Sequence, residues 1–123
     1  MEKVLRQHHI SFKNAFAGLW FALRTQPNFR VHLILSLAAI ALGWYVQITR
    51  LEFIIIIFTI ILGFSAEMIN TSLEAMTDLI TKEWRTEAKV AKDVAAGMML
   101  TVAFGAIAVA IIIFGPYLVA GAY

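Results

Sequence analysis

The sequence predicts an all-α membrane protein with an N-terminal amphipathic surface helix and three transmembrane helices, and three observations predict it. Hydrophobic residues make up 61% of the 123 positions and charged residues only 15%, against roughly 45–50% and 25% in soluble domains. Two charge-free stretches are long enough to cross a bilayer, for which about 20 residues suffice, and a third, shorter one runs on into a polar segment. The first 25 residues carry apolar side chains at helical spacing, with cations at the edge of the stripe. A chain of this length reads as one domain, 1–123, without a separate soluble catalytic part, so any chemistry must lie on the membrane helices. With no cysteine, disulfides, thiolate metal sites and cysteine nucleophiles are excluded. A net charge of +2 does not suggest nucleic acid as a partner.

Residues 1–26 form the surface helix: Leu5, Phe12, Phe16, Leu19, Trp20 and Leu23 share one face at about 100° per residue, flanked by Arg6, Lys13 and Arg24. Pro27 breaks the pattern, which predicts a turn over Gln26–Arg30. Residues 31–48 are apolar except for His32, Ser36 and Gln47, and form the first span. Residues 53–80 read as one helix, since the charge-free Phe53–Ala66 runs without a breaker into EMINTSLEAMTDLI. Its first half is embedded in lipid and its second carries a polar stripe past the interface. Residues 94–119 are the third span, because Asp, Glu, Lys and Arg are absent from Val94 onward. The apolar run begins too late for a secretory signal.

Lys3, Arg6, Lys13, Arg24 and Arg30 precede the first span, and Arg50 alone separates the first two. Lys82, Arg85, Lys89 and Lys92 fall between the second and third. The positive-inside rule therefore places the N-terminus and the 80–92 loop in the cytoplasm. Trp44, Tyr45 and Tyr117 then lie near the outer boundary, with Trp20 and Trp84 near the inner one.

Glu67, Asn70, Glu74 and Asp78 fall within an arc of roughly 80° on one helix face. Carboxylates near bilayer depth require pairing, protonation or a wet cavity. Lys89, Lys92 and Asp93 share a face just before the third span, followed by the small Ala96 and Gly97. Three readings fit this inventory: polar glue between helices, an ion or proton path, and phosphoryl transfer at the membrane surface. No GxxxxGK[ST] loop is present and the glycines are scattered, which excludes a Walker-type or dinucleotide-type nucleotide site. His8 and His9 diverge on a helix and suit solvation, His32 suits an interfacial hydrogen bond, and KEWRTEAKVAKD by itself suits a solvated loop.

EMINTSLEAMTD (67–78), the AKD of 91–93 and NFRVH (28–32) together resemble the small bacterial integral-membrane diacylglycerol kinase and undecaprenol kinase family. The resemblance covers nearly the whole chain and implies a homotrimeric bundle in the bacterial inner membrane. It further implies transfer of the γ-phosphate of ATP, with Mg²⁺, to the hydroxyl of a membrane lipid: diacylglycerol, or alternatively undecaprenol. By the resemblance, Glu67 is the general base and meets the lipid beside Ala96. Glu74 is a metal ligand, and Asn70 supports the phosphate and metal site. Lys92 and Asp93 contact nucleotide, as do Glu83, Trp84 and Arg85 in the preceding loop and Gln7 and Asn14 on the surface helix. Where many members carry a metal-binding Glu this chain has Gln26, whose amide oxygen can coordinate Mg²⁺ but adds no charge.

Overall fold

The computed structural model describes residues 2–120, with side chains described from Ser11 onward. Four helices follow one another: α1 (Glu2–Thr25), α2 (Pro27–Val46), α3 (Arg50–Ile80) and α4 (Thr86–Ala120). The last three are long and apolar enough to cross a membrane. At 1.5 Å per residue, the 31 residues of α3 span about 46 Å, more than the roughly 30 Å hydrocarbon core. One end of α3 must therefore project into the headgroup region or tilt.

Two connections are shorter than the sequence suggests. The expected turn over Gln26–Arg30 contracts to Gln26 alone, in extended conformation, and Pro27 opens α2 at its first position. Proline is suited there, because the first helical N–H needs no intrahelical acceptor and its φ is already helical. The expected 80–92 loop contracts likewise. Helix α4 starts at Thr86, so Lys89, Lys92 and Asp93 stand on a helix instead of in a solvated loop. Glu87 in its first turn complements the positive end of the helix dipole.

Helix α3 packs most extensively against α4 and less against α2, while α1 touches α2. The apolar core lies at one end of the bundle. Ile48, Ile56, Ile113 and Phe114 are buried there, with Leu42, Phe53 and Val109 packed around them. The α2–α3 turn closes that end. Gln47 is left-handed (φ 57°), and the Ile48 N–H bonds back to the Gly43 carbonyl at 3.1 Å. A Cβ on Gly43 would lie 2.9 Å from Ile48 Cδ1, so the absence of a side chain lets the turn fold onto the helix.

Thr49 and Glu52 then form a capping box that starts α3. The Thr49 hydroxyl accepts from the Glu52 N–H at 3.3 Å, and the Glu52 carboxylate accepts from the Thr49 N–H at 2.7 Å. The same carboxylate oxygen accepts from the Tyr117 hydroxyl at 2.8 Å, which ties the α3 start to the α4 end. Thr49→Ala is expected to lower stability by about 1 kcal/mol through loss of the cap. The check is a lower unfolding midpoint in detergent micelles, with turnover at permissive temperature unchanged.

Candidate active site

Along α3 the buried positions Ile56, Gly63, Asn70 and Thr77 recur every seven residues, with Ala66 and Glu67 beside them. A seven-residue repeat keeps one face turned to its neighbours. That face is apolar at the closed end of the bundle and polar at the other. Glu67 is 1% exposed, the most deeply buried large side chain among the described residues. Asn70 and Thr77 are buried too. The hydroxyls of Thr71 and Thr77 bond to carbonyls of their own helix, those of Glu67 and Leu73, so neither serves the acid. Asn70 Nδ2 donates to Glu74 Oε1 at 3.3 Å. Glu67 Oε2 and Asn70 Oδ1 are left buried without a donor among the described residues.

The polar stripe thus splits. Glu67 and Asn70 are enclosed by the bundle, whereas Glu74 and Asp78 are exposed. A cleft of about 410 Å³ opens over Asn70 and Glu74. Asn28, Val31 and His32 of α2 form one wall, and Ala96, Met99, Leu100 and Ala103 of α4 form the other. A second cleft, also of about 410 Å³, lies at the α3–α4 connection and gathers Glu83, Trp84, Arg85, Lys92 and Asp93 with Asp78, Lys82 and Lys89.

Lys92 Nζ bonds Asp78 Oδ1 at 2.6 Å and so links α4 to α3 at the second cleft. Lys89 pairs with Asp93 one turn along α4, and Arg85 lies 3.7 Å from Glu83. These pairs are open to solvent and so contribute little to stability. Their effect is positional, since an ammonium engaged once by Asp78 still has two donors for an anionic ligand.

The structure brings together Asn70, Glu74 and Ala96 in the first cleft, and Glu83, Trp84, Arg85, Lys92 and Asp93 in the second. Glu67 lies in the seam one turn from Asn70. Asn14 is exposed on α1, and Gln26 is half-buried at the α1–α2 turn, its amide donating to Thr25 Oγ1 at 3.3 Å; neither lines a cleft. The side chain of Gln7 falls outside the described residues, as do those of His8 and His9.

The sequence reading did not place Asn28 and His32 in the site, or foresee the Asp78–Lys92 pair. Asn28 and His32 are four residues apart, a spacing that puts both on one helix face, and both belong to the NFRVH motif. The ring of His32 lies over Gly63, on the wall of the first cleft.

Among the described residues no cluster of three or more His, Cys, Asp or Glu is positioned to hold a metal ion. A Mg²⁺ ion in a phosphoryl-transfer site needs only one or two carboxylates beside the substrate phosphates. The unpartnered Asn70 carbonyl oxygen beside the Glu74 carboxylate is a hard-oxygen pair that fits such an ion.

An all-helical membrane protein with an enclosed acid, an amide and a cation-bearing cleft at one end of its bundle has the build of a membrane-embedded phosphotransferase. The chain belongs to the prokaryotic diacylglycerol kinase family, whose model matches residues 13–114, and it is a lipid kinase. It is 37% identical over 108 residues to the undecaprenol kinase of Bacillus subtilis (strain 168), covering 88% of each chain. It is 35% identical over 101 residues to the diacylglycerol kinase of Synechocystis sp. (strain ATCC 27184 / PCC 6803 / Kazusa), covering 81% of this chain and 58% of that one. Membership selects the enzyme among the three readings left open by residue spacing, over helix glue and an ion path.

Because the Asp78–Lys92 pair is exposed, Lys92→Ala is expected to leave helix content and thermal midpoint in detergent nearly unchanged. Circular dichroism melts of the variant beside the parent check this.

Proposed function

We propose that the chain phosphorylates a membrane lipid alcohol with ATP and Mg²⁺, at the cytoplasmic face of a bacterial inner membrane. The single observation that carries this reading is the enclosed Glu67, whose second carboxylate oxygen has no donor and which lies one turn from the Asn70–Glu74 pair. Glu67 lines neither cleft itself, so in this reading the hydroxyl meets it past Asn70, where an unpaired carboxylate can accept the proton.

In this reading the alcohol O–H bond breaks and its proton passes to the Glu67 carboxylate. The alcohol oxygen bonds to the γ-phosphorus while the bond from that phosphorus to the leaving β-phosphate oxygen breaks. Glu74 and the Asn70 carbonyl oxygen would hold Mg²⁺, which when bound neutralises charge on the phosphates. Lys92, positioned by Asp78, faces phosphate oxygens. Trp84 and Arg85 flank the nucleotide in the second cleft, with Glu83 and Asp93 fixing the cations there. Asn14, Gln7 and Gln26 take part only where chains meet. A homotrimer belongs to this reading: three spans per chain leave much apolar surface and the exposed Glu74 and Asp78 uncovered, and association of chains can cover them.

The lipid is a prenol or a glyceride. The match over 88% of both chains to a protein named undecaprenol kinase favours undecaprenol, giving undecaprenyl phosphate. Diacylglycerol, giving phosphatidic acid, is the second reading, favoured by the family description and the Synechocystis relative. The N-terminus is cytoplasmic, residues 1–26 lie on the inner surface, and 31–48, 53–80 and 94–119 cross the membrane.

Glu67→Gln is expected to reduce kcat by roughly 10²–10⁴-fold, the usual share of a positioned base, with helix content preserved. Glu74→Gln should raise the Mg²⁺ concentration needed for half-maximal rate. Mixed-micelle assays of both variants on undecaprenol and diacylglycerol, with ATP, check this; parental turnover in both would refute the site.

A further inference from the structure

The imidazole of His32 is the one aromatic heterocycle on the first cleft, and the fold makes room for it. Its Nδ1 lies 3.2 Å and its Cε1 3.6 Å from where a Cβ on Gly63 would stand, so the ring rests on bare α3 backbone. Phe64, itself 4.8 Å centroid to centroid from Phe29, flanks the ring at 6.5 Å. Gly63 precedes Glu67 by one turn on the buried seam, so the imidazole approaches the helix just beside the enclosed acid.

The side-chain hydrogen bonds of this part of α3 are Asn70–Glu74, Thr71–Glu67 and Thr77–Leu73, and none engages His32. An imidazole always carries at least one donor, and when neutral also an acceptor. The half-buried ring has no side-chain partner among the described residues and stands with Asn28, Asn70 and Glu74 in the polar corner of the cleft, in front of the enclosed Glu67. The rest of the cleft grades into apolar surface along Val31, Met99, Leu100 and Ala103. Val31 and Leu100 are more than half exposed, so this side opens outward from the bundle. A polar corner at the end of an apolar trough has the shape of a long-chain alcohol.

We infer that His32 is the residue that positions the lipid alcohol: its imidazole hydrogen-bonds the substrate hydroxyl and holds that oxygen at Glu67, while the chain lies along Val31, Met99 and Leu100. The assignment rests on the lipid-kinase reading and adds to it a substrate-positioning residue on α2. Gly63 belongs to the same device, because any side chain there displaces the ring. Single hydrogen bonds to a substrate hydroxyl contribute modestly, so the effect on the lipid is graded and selective.

The experiment uses the full chain in mixed micelles. His32→Ala should lower kcat/KM for the lipid alcohol about tenfold and leave KM for ATP unchanged. His32→Gln, which restores an N–H donor, should recover much of the loss, and His32→Leu, which fills the space without a polar atom, should not. Gly63→Ala should act as a milder His32→Ala. Binding without turnover is read separately, as the Kd of a pyrene-labelled prenol or glyceride for the Glu67→Gln protein with and without His32→Ala, where the second change should weaken it. Parental lipid kcat/KM in His32→Ala, full activity in His32→Leu, or an equal loss toward ATP would overturn the inference. Turnover surviving in Glu67→Gln would instead refute the base assignment, and the labelled-lipid Kd would then judge His32 by itself.

Discussion

The organisation of this protein depends on a carboxylate enclosed between membrane helices. Transfer of an ionised acid from water to an apolar interior costs on the order of several kcal/mol unless it is paired or neutralised. Glu67 is enclosed, yet one of its oxygens has no donor among the described residues. A helix that retains such a residue gains nothing in stability from it. The neighbouring groups make sense of its retention: an amide with its own unpartnered oxygen, a second acid at the cleft, and a cluster of cations gathered around Asp78 further along α3.

The bundle divides its two ends accordingly. At the closed end, apolar side chains, the capping box of Thr49 and Glu52, and the Tyr117 hydroxyl fix how α3 and α4 meet. At the open end the same α3 seam exchanges Ile56 for Gly63, Glu67, Asn70 and Thr77, and the helices separate enough to leave two clefts. Stability and chemistry are thus placed at opposite ends of one helix pair. That separation lets the polar end carry unpaired groups without loosening the whole structure. Asp78 and Lys92 give the open end its one direct link between α3 and α4 side chains among the described hydrogen bonds, at the rim where solvent screens it.

The two clefts are suited to reactants that arrive from different phases. The first is lined largely by aliphatic residues and faces outward along α2 and α4. The second is lined by charged residues at the connection between α3 and α4. Asn70 and Glu74 form the floor of the first, and α3 continues directly from them to Asp78 in the second. In the proposed reading a lipid alcohol and a charged nucleotide meet along this single helix, each approaching from the medium that solvates it.

The sequence by itself determined the helices and the polar residues they carry. Apolar runs of spanning length, the stripe from Glu67 to Asp78 and the cations before the third span all follow from residue type and spacing, which act locally along the chain. The capping box was also legible as Thr49-x-x-Glu52, and the pairing of Asn28 with His32 as an i, i+4 spacing. Tertiary structure alone decided which members of the stripe are enclosed, because an arc of roughly 80° does not state which edge meets a neighbour. It also decided that His32 rests on Gly63, that Lys92 reaches Asp78 and that Tyr117 reaches Glu52. Each of these joins residues on different helices, and their distance is set by how those helices pack, a quantity that no local pattern contains.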